Sequence, residues 1–202
     1  MPGQKATEAT RREQILKAAY EVALRRGIDG LTVRAVASRA RLSHGLVLFH
    51  FKRKDQLGLA LLDRVLATTL LVEVPASIRA IINPQERFQA LFSQEMRRFS
   101  QEPRWIRLLL EYWARGTHNA VIRGKIGQGL DRYRAAFREI AQEILRTAPS
   151  RAAGATPAGI AAAAVSLILG YPVQALFDPA QLDIDEYLAS AEALSGPRTA
   201  AA

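Results

Sequence analysis

The stretch from Asp29 to Leu57, DGLTVRAVASRARLSHGLVLFHFKRKDQL, constrains this chain more than any other part of it. It reads as two short helices joined by a tight turn, followed by the start of a third. Thr32 suits the N-cap of the first, because its hydroxyl can accept from a backbone N–H that the helix leaves unpaired. Val33, Val36, Ala37 and Ala40 then recur at helical spacing and make one small apolar face. Arg41-Leu42-Ser43 is the connection, with Leu42 placed to plug the gap between helices. Ser43 caps the second helix, which opens with His44, Gly45 and Leu46. This is the layout of a helix-turn-helix, whose second helix enters the DNA major groove N-terminus first.

Charge points the same way. Residues 1–57 hold 12 Lys or Arg against 5 Asp or Glu, while residues 58–202 hold 16 against 14. A basic N-terminal quarter on a nearly neutral remainder is the footprint of a module that binds a polyanion. The absence of cysteine excludes disulfide stapling and thiolate metal sites, and fits a reducing cytoplasm. MPGQKATEATRREQ has no apolar core of the signal-peptide kind, so a cytoplasmic location is expected.

Gly27-Ile28-Asp29-Gly30-Leu31-Thr32-Val33-Arg34, Val36-Ala37, Leu42-Ser43-His44-Gly45, His50-Phe51 and Lys54-Asp55-Gln56-Leu57 together resemble the N-terminal domain of the TetR family. The resemblance is specific over about Glu13 to Leu62 and looser beyond. It implies a dimer that releases its operator DNA when a small molecule binds. The chain departs from the family at Leu48, where Tyr is usual and touches a DNA phosphate; Leu cannot donate that hydrogen bond.

Taken in order, residues 1–10 are polar and expected to be disordered, with Arg11 and Arg12 on an arm that could reach phosphates or the minor groove. A helix follows to Arg26, with Ile15, Ala19, Val22 and Ala23 inside and Gly27 as its left-handed cap. After the two motif helices, Lys52-Arg53-Lys54 opens a long helix carrying Leu57, Leu61, Leu62, Val65, Leu66 and Leu70. Three cations there oppose the helix dipole, and an adjacent phosphate would offset that. Asn83-Pro84-Gln85-Glu86 starts a helix to about residue 100. Others follow from Pro103 to Gly116, over about 119–147 before Pro149, from Thr156-Pro157 to Phe177, and from Asp183 to the stop at Gly196-Pro197. The expected fold is all-α, about nine helices: a three-helix DNA-binding head in residues 1–52 and a six-helix body in 53–202.

Enzyme chemistry finds little support. His44, His50 and His118 have no metal-ligand spacing, so no metal or cofactor is expected. Gly124-Lys125-Ile126-Gly127-Gln128-Gly129 lacks P-loop spacing and a preceding strand; its glycines suit close helix packing, a local kink or room for a ligand. Thr156 to Phe177 is uncharged and long enough to cross a membrane, but its Ala, Gly, Ser, Pro and Gln content and unanchored flanks suit a buried helix better.

The expected DNA contacts are Arg11, Arg12, Thr32, Arg34, Ser43, His44, Gly45, Leu46, Phe49, His50 and Lys54. Among them, Thr32, Arg34 and Lys54 are expected at phosphate, and His44 with the exposed one of Phe49 or His50 at base edges or thymine methyls. The family resemblance places an effector cavity in the body. Phe88, Phe92, Met96, Trp105, Leu109, Tyr112, Trp113, Tyr133 and Phe137 are its candidate lining, and the body, with its last two helices leading into Leu176-Phe177-Asp178-Pro179, looks like the choline- and betaine-responsive branch. The last two helices carry more apolar surface than a monomer should expose. Ala161, Ala164, Val165, Ile168, Val173, Leu176 and Leu188 are therefore expected in a four-helix homodimer interface. The function expected is a dimeric repressor released from a near-palindromic operator by a small molecule; the alternative is a constitutive or architectural DNA binder without effector.

Overall fold

The computed structural model describes residues 7–70, 74–101, 103–147 and 154–194, and these contain ten helices and no strand. They are α1 (Glu8–Arg26), α2 (Val33–Ala40), α3 (His44–His50), α4 (Lys54–Thr69), α5 (Ala76–Arg79), α6 (Pro84–Ser100), α7 (Pro103–Gly116), α8 (Ala120–Thr147), α9 (Pro157–Phe177) and α10 (Ile184–Leu194). The expected stops at Pro149 and Gly196-Pro197, and residues 1–6 of the expected arm, lie outside the described residues. The helix beyond the expected nine is α5. Pro75 precedes its single turn, which is too short to leave a periodic apolar pattern.

Two compact units are present: residues up to 71 with 108–129, and 72–107 with 130 onward. In the first, α1 begins three residues earlier than its apolar rhythm suggests. Thr7 caps it by accepting from the Thr10 N–H at 3.2 Å, and Glu8 places an acid in the first turn. Arg11 and Arg12 are therefore helical and not on an arm. Ile15, Ala19, Val22 and Ala23 are buried as expected, against α2 and α4. Ile15 and Val22, the larger of these, contribute about 1.5–3 kcal/mol each on leaving water.

Thr32 caps α2, accepting from the Ala35 N–H at 3.1 Å, and Ser43 caps α3, accepting from the Leu46 N–H at 3.1 Å. The turn between them is made by Arg41 at φ 55° and ψ 43°. Leu42 N–H donates back to the Ala37 carbonyl at 2.9 Å, closing a Schellman-type stop. A left-handed arginine costs about 1–2 kcal/mol where glycine would cost nothing.

Helix α4 begins at Lys54, two residues later than expected, with Arg53 at its N-cap and no side-chain capping bond. Its apolar residues Leu57, Leu61, Leu62, Val65 and Leu66 are all buried. Within this unit α8 packs on α4 at Gly129, where a Cβ would lie 3.3 Å from both Leu66 and Leu70 side chains. Gly124 and Gly127 have no such neighbours. The run that superficially resembles a phosphate loop is helical throughout, and only Gly129 serves close packing.

In the second unit α6 packs on α9 and α10. Asn83 caps α6, accepting from the Gln85 N–H at 2.9 Å. Tyr171 of α9 donates to the Leu182 carbonyl at 3.2 Å, and Tyr187 of α10 donates to the Leu167 carbonyl at 3.3 Å. The two phenols thus pin α9 and α10 reciprocally, with ring centroids 5.1 Å apart. Pro172 sits inside α9 and leaves the Ile168 carbonyl without its helical donor. By length and apolarity α9 would pass as a membrane span. Its Ile168, Leu169 and Val165 are nevertheless buried in the unit.

Candidate nucleic-acid interface

Helix α3 is held from behind and presents one side. Val47 is fully buried, and Phe51, just beyond the helix, is nearly so. Gln14 of α1 donates to the Ala40 carbonyl at the end of α2 at 2.9 Å. Arg12 donates to the His50 carbonyl at 3.2 Å, and its guanidinium lies 4.2 Å from the Phe51 ring centroid. A cation over the carbonyl end of a helix favours the dipole. Arg12 thus anchors the end of α3, which corrects its expected role on a reaching arm. Arg11 donates within α1 to Gln14 at 2.7 Å.

The free side of α3 carries His44, Gly45, Leu48 and Phe49, all exposed. Phe49 is 73% exposed and Leu48 36%. Leu46 and His50 are half-buried, and the Phe49 ring meets His50 edge-on at 5.3 Å. Nothing lies within 4 Å of a Cβ built on Gly45, so the protein's own packing does not require glycine there. Leu48 is not among the contacts expected from the sequence, where its missing hydroxyl is what stands out. Helical spacing puts it one turn from His44 and Gly45, a signal that was available.

Cations and open donors flank this face. Thr32 and Ser43 use one lone pair each as caps, leaving both O–H groups free to donate outward. Arg34, Arg41, Lys52, Arg53 and Lys54 are exposed. The uncapped amides at the start of α4 lie among three of these cations, and a helix N-terminus attracts an anion.

The nine candidate effector residues divide between the units. Leu109, Tyr112 and Trp113 belong to the first. Tyr112 is buried and donates to the Gly58 carbonyl inside α4 at 2.8 Å; burial pushes its phenol well above the ordinary range. The Trp113 indole N–H is buried with no acceptor among the described residues. Phe88, Phe92, Met96, Trp105, Tyr133 and Phe137 belong to the second. There Phe88–Phe137, Phe137–Tyr133, Tyr133–Phe99 and Phe99–Trp105 form a chain of ring contacts at 4.6–6.0 Å.

Two members of this cluster escaped the sequence reading, Phe99 and Glu95. Glu95 is 2% exposed, accepts from the Tyr133 hydroxyl at 2.8 Å, and is paired with Arg98. Arg98 rises above its ordinary value: burial would lower it, but the hydrogen bond and charge of Glu95 prevail. Burial and the Glu95 charge push the Tyr133 phenol far up.

Of the seven candidate interface residues, Ala161, Ala164, Val165, Ile168 and Leu188 are buried within the chain's own second unit. They pack within the same protomer, where α6 lies against both α9 and α10. Val173 and Leu176 are half-buried, and α9 exposes Ala163, Ser166, Gln174 and Phe177 instead.

The fold and this face define a helix-turn-helix DNA-binding regulator with an all-α C-terminal region. Residues 15–61 match the bacterial regulatory proteins of the tetR family, and residues 84–194 match the BetI-type transcriptional repressor, C-terminal. The chain belongs to the TetR family of transcriptional regulators. It is 30% identical over 178 residues to an uncharacterized HTH-type transcriptional regulator from the dhlA 5′ region of Xanthobacter autotrophicus, covering 85% of this chain and 82% of that one. A putative transcriptional regulator from Pseudomonas aeruginosa PAO1 has the same fold, with TM-score 0.77 at 18% identity, over 95% of this chain and 91% of that one. So does a putative regulator from Saccharomonospora viridis solved in complex with choline, with TM-score 0.72 at 20% identity, over 92% and 95% of the two chains.

Proposed function

We propose that this regulator is a cytoplasmic homodimeric repressor that grips a near-palindromic operator and lets go when a small molecule binds. The helix-turn-helix and the start of α4 supply the DNA contacts, and the remaining helices the response. The observation that carries the reading is the free face of α3, with an unfilled Gly45 at its groove-entering end and exposed cations before and after it. Ser43, His44, Gly45 and Phe49 face bases; Thr32, Arg34 and Lys54 face phosphates. Arg12 contributes by fixing the end of α3.

Two-fold symmetry would place the half-sites about one helical turn, or a multiple, apart. The dimer contact is assigned to the outward sides of α9 and α10, where Phe177 is 78% exposed. The relative solved with choline supports a small-molecule effector. In the second unit, however, Arg98 already neutralises the buried carboxylate among the aromatic rings. A quaternary ammonium would have to compete with a guanidinium there. The buried Trp113 N–H, which has no acceptor among the described residues, is the better place to look for an effector contact.

The test uses duplexes selected by the purified protein from a random pool. Lys54→Ala should weaken binding to all sequences alike and flatten the salt dependence by about 0.9 for the phosphate lost. His44→Ala should instead change preference at particular base pairs. A selected site without dyad symmetry, or an unchanged salt slope for Lys54→Ala, contradicts the reading.

A further inference from the structure

We infer that α3 reads its operator chiefly through thymine methyl groups, with Leu48 and Phe49 as the specificity-determining residues. This rests on the DNA-binding reading above and names what the face recognises. The helix is HGLVLFH: it contains no Arg, Lys, Asn or Gln, the side chains that make bidentate bonds to guanine or adenine in the major groove. Its hydrogen-bonding side chains are His44 and His50, and His50 is half-buried with the edge of Phe49 against it. What the free side offers instead is apolar: Phe49 at 73% exposure and Leu48 at 36%, one beside the other. Exposed large apolar groups on a helix this short are a standing cost in the free protein, and a partner surface would relieve it.

The occupant is set by the surroundings. Arg41 precedes the helix and Lys52, Arg53 and Lys54 follow it, all exposed, so the pair sits among cations that hold a phosphate backbone on either side. An apolar surface held in that way over a major groove meets one apolar base feature, the C5 methyl of thymine.

The experiment takes the duplex selected from a random pool and replaces each thymine of a half-site in turn by uracil, which deletes the methyl alone. The same positions are also tested as cytosine and as 5-methylcytosine. Uracil should weaken binding about fourfold for each methyl buried, at one or two positions per half-site. 5-Methylcytosine should bind tighter than cytosine by a similar factor at those positions. Leu48→Ala and Phe49→Ala, both at exposed sites, should each reduce that discrimination, whereas Lys54→Ala should weaken binding and leave it intact. Equal binding of thymine and uracil duplexes at every position overturns the inference while leaving the DNA-binding reading standing. So does discrimination that survives in both alanine variants. A protein that retains no duplex from the pool overturns both.

Discussion

The carboxylate of Glu111 on α7 accepts a 2.6 Å hydrogen bond from the backbone N–H of Ile28, in the loop between α1 and α2. Next to it Gly27 has φ +67°, and a Cβ there would lie 2.9 Å from both carboxylate oxygens. Arg115, one turn further along α7, pairs with Asp29 of the same loop. The three-helix head is therefore not self-contained. The end of α7 is part of the same compact unit and holds the loop that orients the helix-turn-helix.

Removing that hold should be measurable. Glu111→Ala leaves the part-buried Ile28 N–H without this acceptor, which costs about 1–3 kcal/mol. Gly27→Ala should destabilise comparably, through the left-handed φ and the collision with the carboxylate. Urea denaturation checks both; an unchanged midpoint for Glu111→Ala would show that the bond contributes nothing.

Glu95 and Arg98 give a second case. The Glu95 side chain is 3% exposed and Arg98 36%. Arg98→Met leaves a buried carboxylate with Tyr133 as its hydrogen-bonding neighbour, a loss of about 2–3 kcal/mol. That is the low end for a buried pair, because water can reach the vacated side. Glu95→Leu combined with Arg98→Met should be less damaging than Arg98→Met alone. If the double variant is as unstable as the sum of the two single changes, the pairing is not what keeps Glu95 buried.

Alkaline pH should loosen the chain. Burial holds the Tyr112 phenol above its ordinary range, and burial with the Glu95 charge does so for Tyr133. An unfolded tyrosine ionises near pH 10, while these two stay protonated in the fold. Their contribution is intact below about pH 10 and is lost as pH rises above it, by about 1.4 kcal/mol per pH unit for each phenol. Tyr133→Phe should remove one phenol's share of that slope. Stability measured by urea between about pH 9 and pH 11 tests it, and an unaltered slope would contradict the assignment.

The DNA-binding face was legible in the sequence because its signals are local. Thr32 and Ser43 cap within three residues of themselves, and the Val36, Ala37 and Val47 pattern follows from helical spacing alone. What was not legible depends on residues distant in the chain. Arg12 reads as part of an arm until His50 and Phe51 are seen beside it. Glu95 reads as a surface acid until Tyr133, on another helix, donates to it. Ile168 and Leu188 read as interface because an apolar helix face shows that something covers it, but not whether the cover is the same protomer or a second one.

If the free side of α3 lies against DNA, Gly45 is the position where an added side chain shows it most directly. Because the space around a Gly45 Cβ is empty and Leu is the better helix former, Gly45→Leu should leave the fold intact and not lower helix stability. In the complex the same side chain would collide with the groove. Titration of the selected duplex with this variant should show binding weakened by about a hundredfold or more, about 2.7 kcal/mol, at an unchanged or higher melting temperature. Wild-type affinity in a stably folded Gly45→Leu protein would contradict the account.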